Sequence, residues 1–168
     1  MRKGVWLAAV GMAAMVAMQA ARAATVHIEQ AGPWFAFAGT DNSGRGVCGV
    51  ATDWNDGRFF GVKRYARDGY LVVQASKPTW RIRSARIPVR FRMDRYPLWS
   101  ASAITAMAGR MVQLTIPLDN IGDFVGQFER SSELVLVMGT NGVEWRMDLT
   151  GTSRVARAFY HCVRSMPE

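Results

Sequence analysis

Val89, Phe91 and Met93 alternate with Arg90 and Arg92, and Val112, Leu114 and Ile116 alternate with Gln113 and Thr115. A period of two sends successive side chains to opposite faces of a strand, so each segment predicts a strand with one core face and one wet face. Residues 58–65 and 70–75 are apolar-rich and are separated by Arg67-Asp68-Gly69. Asp-Gly between two such runs predicts a hairpin, because its tight turn needs positive φ. Ala108-Gly109 predicts another turn, bringing the chain back from 99–107. Leu134 to Met138 is a continuous apolar run, the pattern of a strand buried on both faces. Asn141-Gly142 is a second hairpin signal, after which Val143, Trp145, Met147 and Leu149 alternate with Glu144, Arg146 and Asp148.

Two segments carry the helical period instead. Ile121, Phe124, Val125 and Phe128 fall at i, i+3, i+4 and i+7, with Asp119 as the expected cap. From Thr152 or Ser153 to about Val163, Val155, Ala158, Phe159 and Cys162 line one face, and Arg154, Arg157, His161 and Arg164 line the next. Many strands with two short helices predict a mainly β architecture: an antiparallel β-sandwich or open barrel, with a short internal helix and a C-terminal helix packed on the sheet.

The first residues follow a different rule. Arg2 and Lys3 precede an apolar run from Val5 to Ala21, and Ala21-Arg22-Ala23 places small residues at the two recognition positions of a signal-peptidase site. This predicts a secretory leader over 1–23, cleaved after Ala23, and one β-rich domain over 24–168. An uncleaved anchor is the alternative, although the run falls short of a comfortable span. The full chain has a net charge of +8; without Arg2, Lys3 and Arg22, 18 basic side chains face 13 acidic ones, a net of +5. The apolar share of 49% and charged share of 20% exclude disorder and coiled coil. Cys48 and Cys162 are the only cysteines. In an oxidising compartment a disulfide between them is the expectation, with a free thiol or a metal site as alternatives.

Motifs for catalysis are sparse. Gly44-Arg45-Gly46-Val47-Cys48-Gly49 spells G-x-G-x-x-G but lacks the strand–helix context of a dinucleotide site, so Gly39 to Gly49 is read as a mobile Gly-rich loop. Asp53-Trp54-Asn55-Asp56-Gly57 lacks the later acidic residues of a calcium loop and reads as a tight turn. His27 and His161 are the only histidines, and no motif supplies both a nucleophile and a base. No cofactor or metal is implied. The notable feature is basic: Arg81, Arg83, Arg86, Arg90, Arg92 and Arg95 lie within fifteen residues, opposed by Asp94 alone and bracketed by Trp80 and Tyr96. If Arg81, Arg83, Arg90 and Arg92 share an outer face, they form a band suited to phosphate, sulfate or carboxylate groups, with aromatics at its edges for stacking. The bland alternative is a solvated strand face whose charges discourage edge pairing.

A resemblance runs along most of 24–168. It comprises Gly32-Pro33-Trp34, then Gly46-Val47-Cys48 after a Gly-rich loop, Ile87-Pro88-Val89-Arg90-Phe91, and Asp119 to Phe128 before the run Leu134 to Met138. Trp145-Arg146-Met147-Asp148-Leu149-Thr150-Gly151 then leads into the last helix. In order and spacing the chain resembles small secreted proteins of alphaproteobacteria, among them the invasion-associated locus B family. That resemblance implies a β-rich, periplasmic or surface-exposed protein without established catalysis. The chain departs from the family in lacking a cysteine near Trp34 and in carrying one at 162. Together these features predict a periplasmic or secreted, non-enzymatic binding or envelope-interaction module, contacting an anionic envelope component or another protein through the arginine-rich face. Two other classes stay open: a proteinaceous inhibitor of a lysozyme or protease acting through loop 39–46 or 53–58, and a cryptic hydrolase using His27 or His161.

Overall fold

A computed structural model describes residues 24–139 and 142–167; the expected leader and Asn141 lie outside them. Ten strands follow in order: β1 (Ala24–Ala31), β2 (Trp34–Thr40), β3 (Gly46–Asp53), β4 (Phe59–Tyr65), β5 (Tyr70–Ser76), β6 (Arg86–Met93), β7 (Trp99–Ala106), β8 (Met111–Pro117), β9 (Glu133–Met138) and β10 (Val143–Asp148). Helix α1 (Ile121–Arg130) sits between β8 and β9, and α2 (Ser153–Ser165) follows β10. The strands form one antiparallel sheet in the order β1-β2-β3-β4-β5-β8-β7-β6-β9-β10. The mainly β reading with two short helices on the sheet is therefore correct.

The sheet curls until its two ends meet. The Trp34 indole Nε1, one strand in from the β1 edge, donates to the backbone oxygen of Asp148 at the end of β10, 2.9 Å away. The edge strands β1 and β10 do not pair with each other, so the barrel is open. Its inner face holds a continuous core drawn from nine strands and both helices. Trp34, Phe60, Phe124, Phe128 and Phe159 are each under 2% exposed. Full burial of one such side chain contributes about 1.5–3 kcal/mol, so these rings dominate the stability of the interior.

Alternation explains which side chains reach that core. On β6, Ile87, Val89, Phe91 and Met93 face inward, while Arg86, Pro88, Arg90 and Arg92 stand exposed on the outer face. On β3 nearly every residue from Val47 to Thr52 is buried, because the outer face is covered as well. Phe37 lies across Gly49, where an added Cβ would overlap its ring. The His27 and Phe35 rings stack beside it, 4.3 Å apart.

α2 packs across β1–β3 and against α1. A disulfide joins Cys48 on β3 to Cys162 on α2, with Cα atoms 5.8 Å apart, which settles the cysteine question in favour of the crosslink. The residue opposite Cys48 in the β3–β4 register is Arg64, only 4% exposed. Its Nη1 donates to the Val163 carbonyl at 2.9 Å, and its Nε to the Asp68 carbonyl at 3.3 Å. A cation on the last carbonyls of a helix opposes the negative end of the helix dipole. A covalent link and a buried guanidinium thus hold α2 from neighbouring strands.

Three local expectations need correction. The hairpin between β4 and β5 forms, but Arg67 takes the left-handed conformation (φ 69°) and Gly69 does not. Asp119 does not cap α1: it lies in a 3₁₀ turn, Leu118–Asn120, and no side chain caps the helix, which instead continues out of that turn. The Gly-rich stretch is ordered. Residues 41–45 form a compact turn in which the Asp41 carboxylate accepts hydrogen bonds from the Ser43 hydroxyl, the Ser43 and Arg45 amides and the Arg45 guanidinium. Led by the Ser43 hydroxyl, these donors hold the Asp41 carboxyl down at about 2.

Candidate functional site

Strand β6 separates the arginines into two groups. Arg86, Arg90 and Arg92 project from its outer face at even spacing, with Pro88 between the first two. Arg81 and Arg83 belong to the loop before the strand, and Arg95 to the turn after it. Arg81 is folded onto its own loop, where Nη1 donates to the carbonyls of Pro78 (2.6 Å) and Trp80 (2.7 Å). Among the described residues, Arg83, Arg86, Arg90 and Arg92 have no carboxylate within 4.0 Å, whereas Arg45, Arg58, Arg146, Arg154 and Arg157 are all ion-paired. Across the register Arg90 lies between Ser100 of β7 and Val137 of β9, neither of which can neutralise it.

The two bracketing aromatics are placed differently. Trp80 is 9% exposed and sits edge-on to Trp145, with ring centroids 5.7 Å apart. Tyr96 is taken up by Arg130, whose guanidinium lies over its ring at 5.9 Å and donates to its hydroxyl at 3.2 Å. The arginine stripe of α2 does not extend the β6 row. It lies across β1–β3, with Arg154 against Glu29 and Arg157 against Glu129.

A cleft opens where β6 loses a neighbour. Its pairing with β9 begins at Val89 opposite Met138, so Arg86–Pro88 have a ladder partner on the β7 side only. Pro88 fits this place because proline has no N–H for a second ladder. A single bond, from the Gly139 amide to the Pro88 carbonyl (2.8 Å), spans the gap. The resulting cleft measures about 550 Å³, with Trp80, Ile82, Ile87, Pro88 and Met138 as its apolar walls and Ser84 and Arg86 among its polar ones. A second, shallower depression shares Arg86, Ile87 and Pro88 and runs over to Arg90, Ser100 and Ser102. The two form one groove across the arginine-bearing strand.

The loop walling this cleft is held firmly. The Ile82 amide bonds to the Gly109 carbonyl (3.0 Å), and the Thr105 hydroxyl to the Ser84 carbonyl (2.8 Å). Gly109 has φ +80°, and an added Cβ would overlap the Ile82 backbone, so close approach of the two segments requires glycine here. At the other end of β6, Asp94 fastens the strand to β9. Its carboxylate accepts the Ser132 and Glu133 amides, each at 2.9 Å, and these bonds, Ser132 foremost, lower its pKa from the ordinary value.

Spacing placed Arg90 and Arg92 on an outer face, but neither the loop positions of Arg81 and Arg83 nor the cleft was legible. Met138, Ile82 and Ser84 are far apart in sequence or unremarkable in type. The available signal was Pro88, a proline inside an alternating strand, which marks a break in pairing. The remaining candidates stand elsewhere. His27 stacks on Phe35, and His161 is exposed on α2; among the described residues neither imidazole has a side-chain hydrogen-bond partner. Residues 53–58 form a tight turn closed by Trp54 and Arg58 backbone bonds and by an Asp56–Arg58 pair. Among the described residues no helix is long and apolar enough to cross a membrane.

No family model and no curated protein matches this chain. Among solved structures, the crystal structure of invasion associated protein B from Bartonella henselae is similar, with a TM-score of 0.51 and 17% identity over 82% of this chain and 98% of that one. The likeness is one of fold, and it supports the resemblance drawn from the order of the sequence motifs.

Proposed function

We propose that this chain is a non-enzymatic binding module of the bacterial envelope, periplasmic or secreted, that holds an anionic partner on the outer face of β6. The observation that carries this reading is the row Arg86, Arg90 and Arg92: three guanidiniums on one face, without carboxylates, beside a concave groove. Guanidinium forks match phosphate, sulfate and carboxylate oxygens, and an unneutralised row concentrates positive potential where such groups would sit. The disulfide supports the location, since such links persist in oxidising compartments. A leader over 1–23 and a single domain over 24–168 belong to the same reading. The similar fold of invasion associated protein B is consistent with an envelope role, without assigning that protein's part in invasion to this one.

Heparin serves as a model polyanion for the test. The wild-type protein is expected to elute at markedly higher salt than a variant with Arg86, Arg90 and Arg92 changed to Ser, while a control variant, Arg154→Ser with Arg157→Ser, elutes near wild type. Equal loss from both variants would reduce the β6 row to a share of net charge.

A further inference from the structure

The groove beside the arginines is more than a charged surface. Its deeper part is walled by Trp80, Ile82, Ile87, Pro88 and Met138, and Arg86 lines both this part and its shallower continuation. Trp80 and Met138 are largely covered by the core, so the apolar surface open to a ligand is that of half-buried Ile82 and Ile87 and of exposed Pro88, next to the exposed cation of Arg86. Pockets in this size range generally take one small molecule, oriented by a few polar groups over apolar walls. The walls are set before any ligand arrives, because the Ile82–Gly109 and Thr105–Ser84 bonds fix the loop and the Gly139–Pro88 bond fixes the far side.

We infer that this cleft binds a single anionic amphiphile, its apolar chain lying against Ile82, Ile87 and Pro88 and its phosphate or carboxylate head resting on Arg86. The inference rests on the proposed anion-binding role of β6 and names the class of ligand. The occupant is one molecule and not a bilayer surface, since the apolar walls lie between a loop and a strand end and do not project from the protein. Charge complementarity selects the head: Arg86 has no carboxylate partner among the described residues, and Arg90, which lines the shallower depression with it, has none either. Burial selects the tail, because each methylene removed from water strengthens binding about fourfold.

The test uses decyl phosphate below its micellar concentration, with inorganic phosphate and uncharged decyl maltoside as partial ligands, read by calorimetry and tryptophan fluorescence. Decyl phosphate is expected to bind at least tenfold more tightly than either. Ser84→Trp, at an exposed position on the cleft wall, is expected to weaken decyl phosphate at least fivefold. Arg86→Gln is expected to bring decyl phosphate down to the level of decyl maltoside. Equal binding of decyl phosphate and inorganic phosphate, or decyl phosphate binding untouched by Ser84→Trp in a protein of normal thermal stability, would overturn the inference. Retention on phosphatidylglycerol vesicles without binding of monomeric decyl phosphate would overturn it as well. Loss of heparin selectivity in the triple arginine variant is read separately, so the anion-binding role and the amphiphile site fail by different measurements.

Discussion

The two halves of the sheet make their outer faces in opposite ways. One row crosses the strands as Phe35, Ala51, Gly61, Gln74, Gln113, Ile104 and Arg86, partner to partner. It begins in aromatic rings over small residues, passes through an amide pair in which Gln74 donates to Gln113 at 2.8 Å, and ends in a free cation. The fastening differs too. β3 and β4 are tied to α2 by the disulfide and by buried Arg64, whereas the side-chain tie between β6 and β9, added to their backbone ladder, is an Asp94 carboxylate close to solvent. The half that presents charge adds a side-chain tie that water can contest, and the half with buried side-chain ties presents little charge outside.

The largest expected effect falls on the first half. The Cys48–Cys162 link spans 114 residues, and in the chain-entropy treatment a loop of that size contributes about 4–5 kcal/mol. Urea unfolding of Cys48→Ala/Cys162→Ala should show a loss of that order. Hydrogen exchange should rise first in α2 and β1–β3, while β6–β9 stays protected. Uniform loosening of both halves would show that the contrast is only apparent. Next comes Arg64→Met, which keeps the bulk and removes the charged donor from the Val163 carbonyl; a loss of about 2–3 kcal/mol is expected for a buried bond to a charged group. The smallest effect tests the other half. The lowered Asp94 pKa means its contribution is complete above the ordinary carboxylate range and is lost as pH falls below it. Asp94→Asn should therefore cost stability at pH 7 and flatten part of the acid loss expected of the wild type as pH falls through and below the ordinary carboxylate range. An acid profile unchanged by the substitution would remove Asp94 as the fastening of β6.

This contrast also explains what could be read in advance. In β6 and β8 one face meets the core and the other water, so the period of two was visible and gave the correct inward sets, as it did for Trp145, Met147 and Leu149 in and after β10. In β3 both faces are buried, and Gly46 to Thr52 carries no alternation to read. Arg64 escaped notice because a basic residue beside Lys63 at the end of an apolar-rich run looks like a solvent-facing position; only the register opposite Cys48 and the nearby end of α2 give it a buried role. Asp119 was a reasonable cap by type, but a preceding 3₁₀ turn supplies the entry to α1 without one. The arginine row was legible because charge and period coincide. The cleft was not, because its walls meet only after β9 stops short of Pro88.

The bond from Trp34 to the Asp148 carbonyl brings the chain's beginning and end together. A polypeptide emerging from its amino end can lay down the early hairpins at once, but the edge beside β1 and β2 has no closing partner until nearly the last residues arrive. Contacts so distant in sequence form slowly, and until they do the aromatic interior stays open to solvent. A nascent copy is thus most vulnerable to aggregation and proteolysis before β10 has been made, and a truncation ahead of Asp148 would forfeit the closure of the barrel.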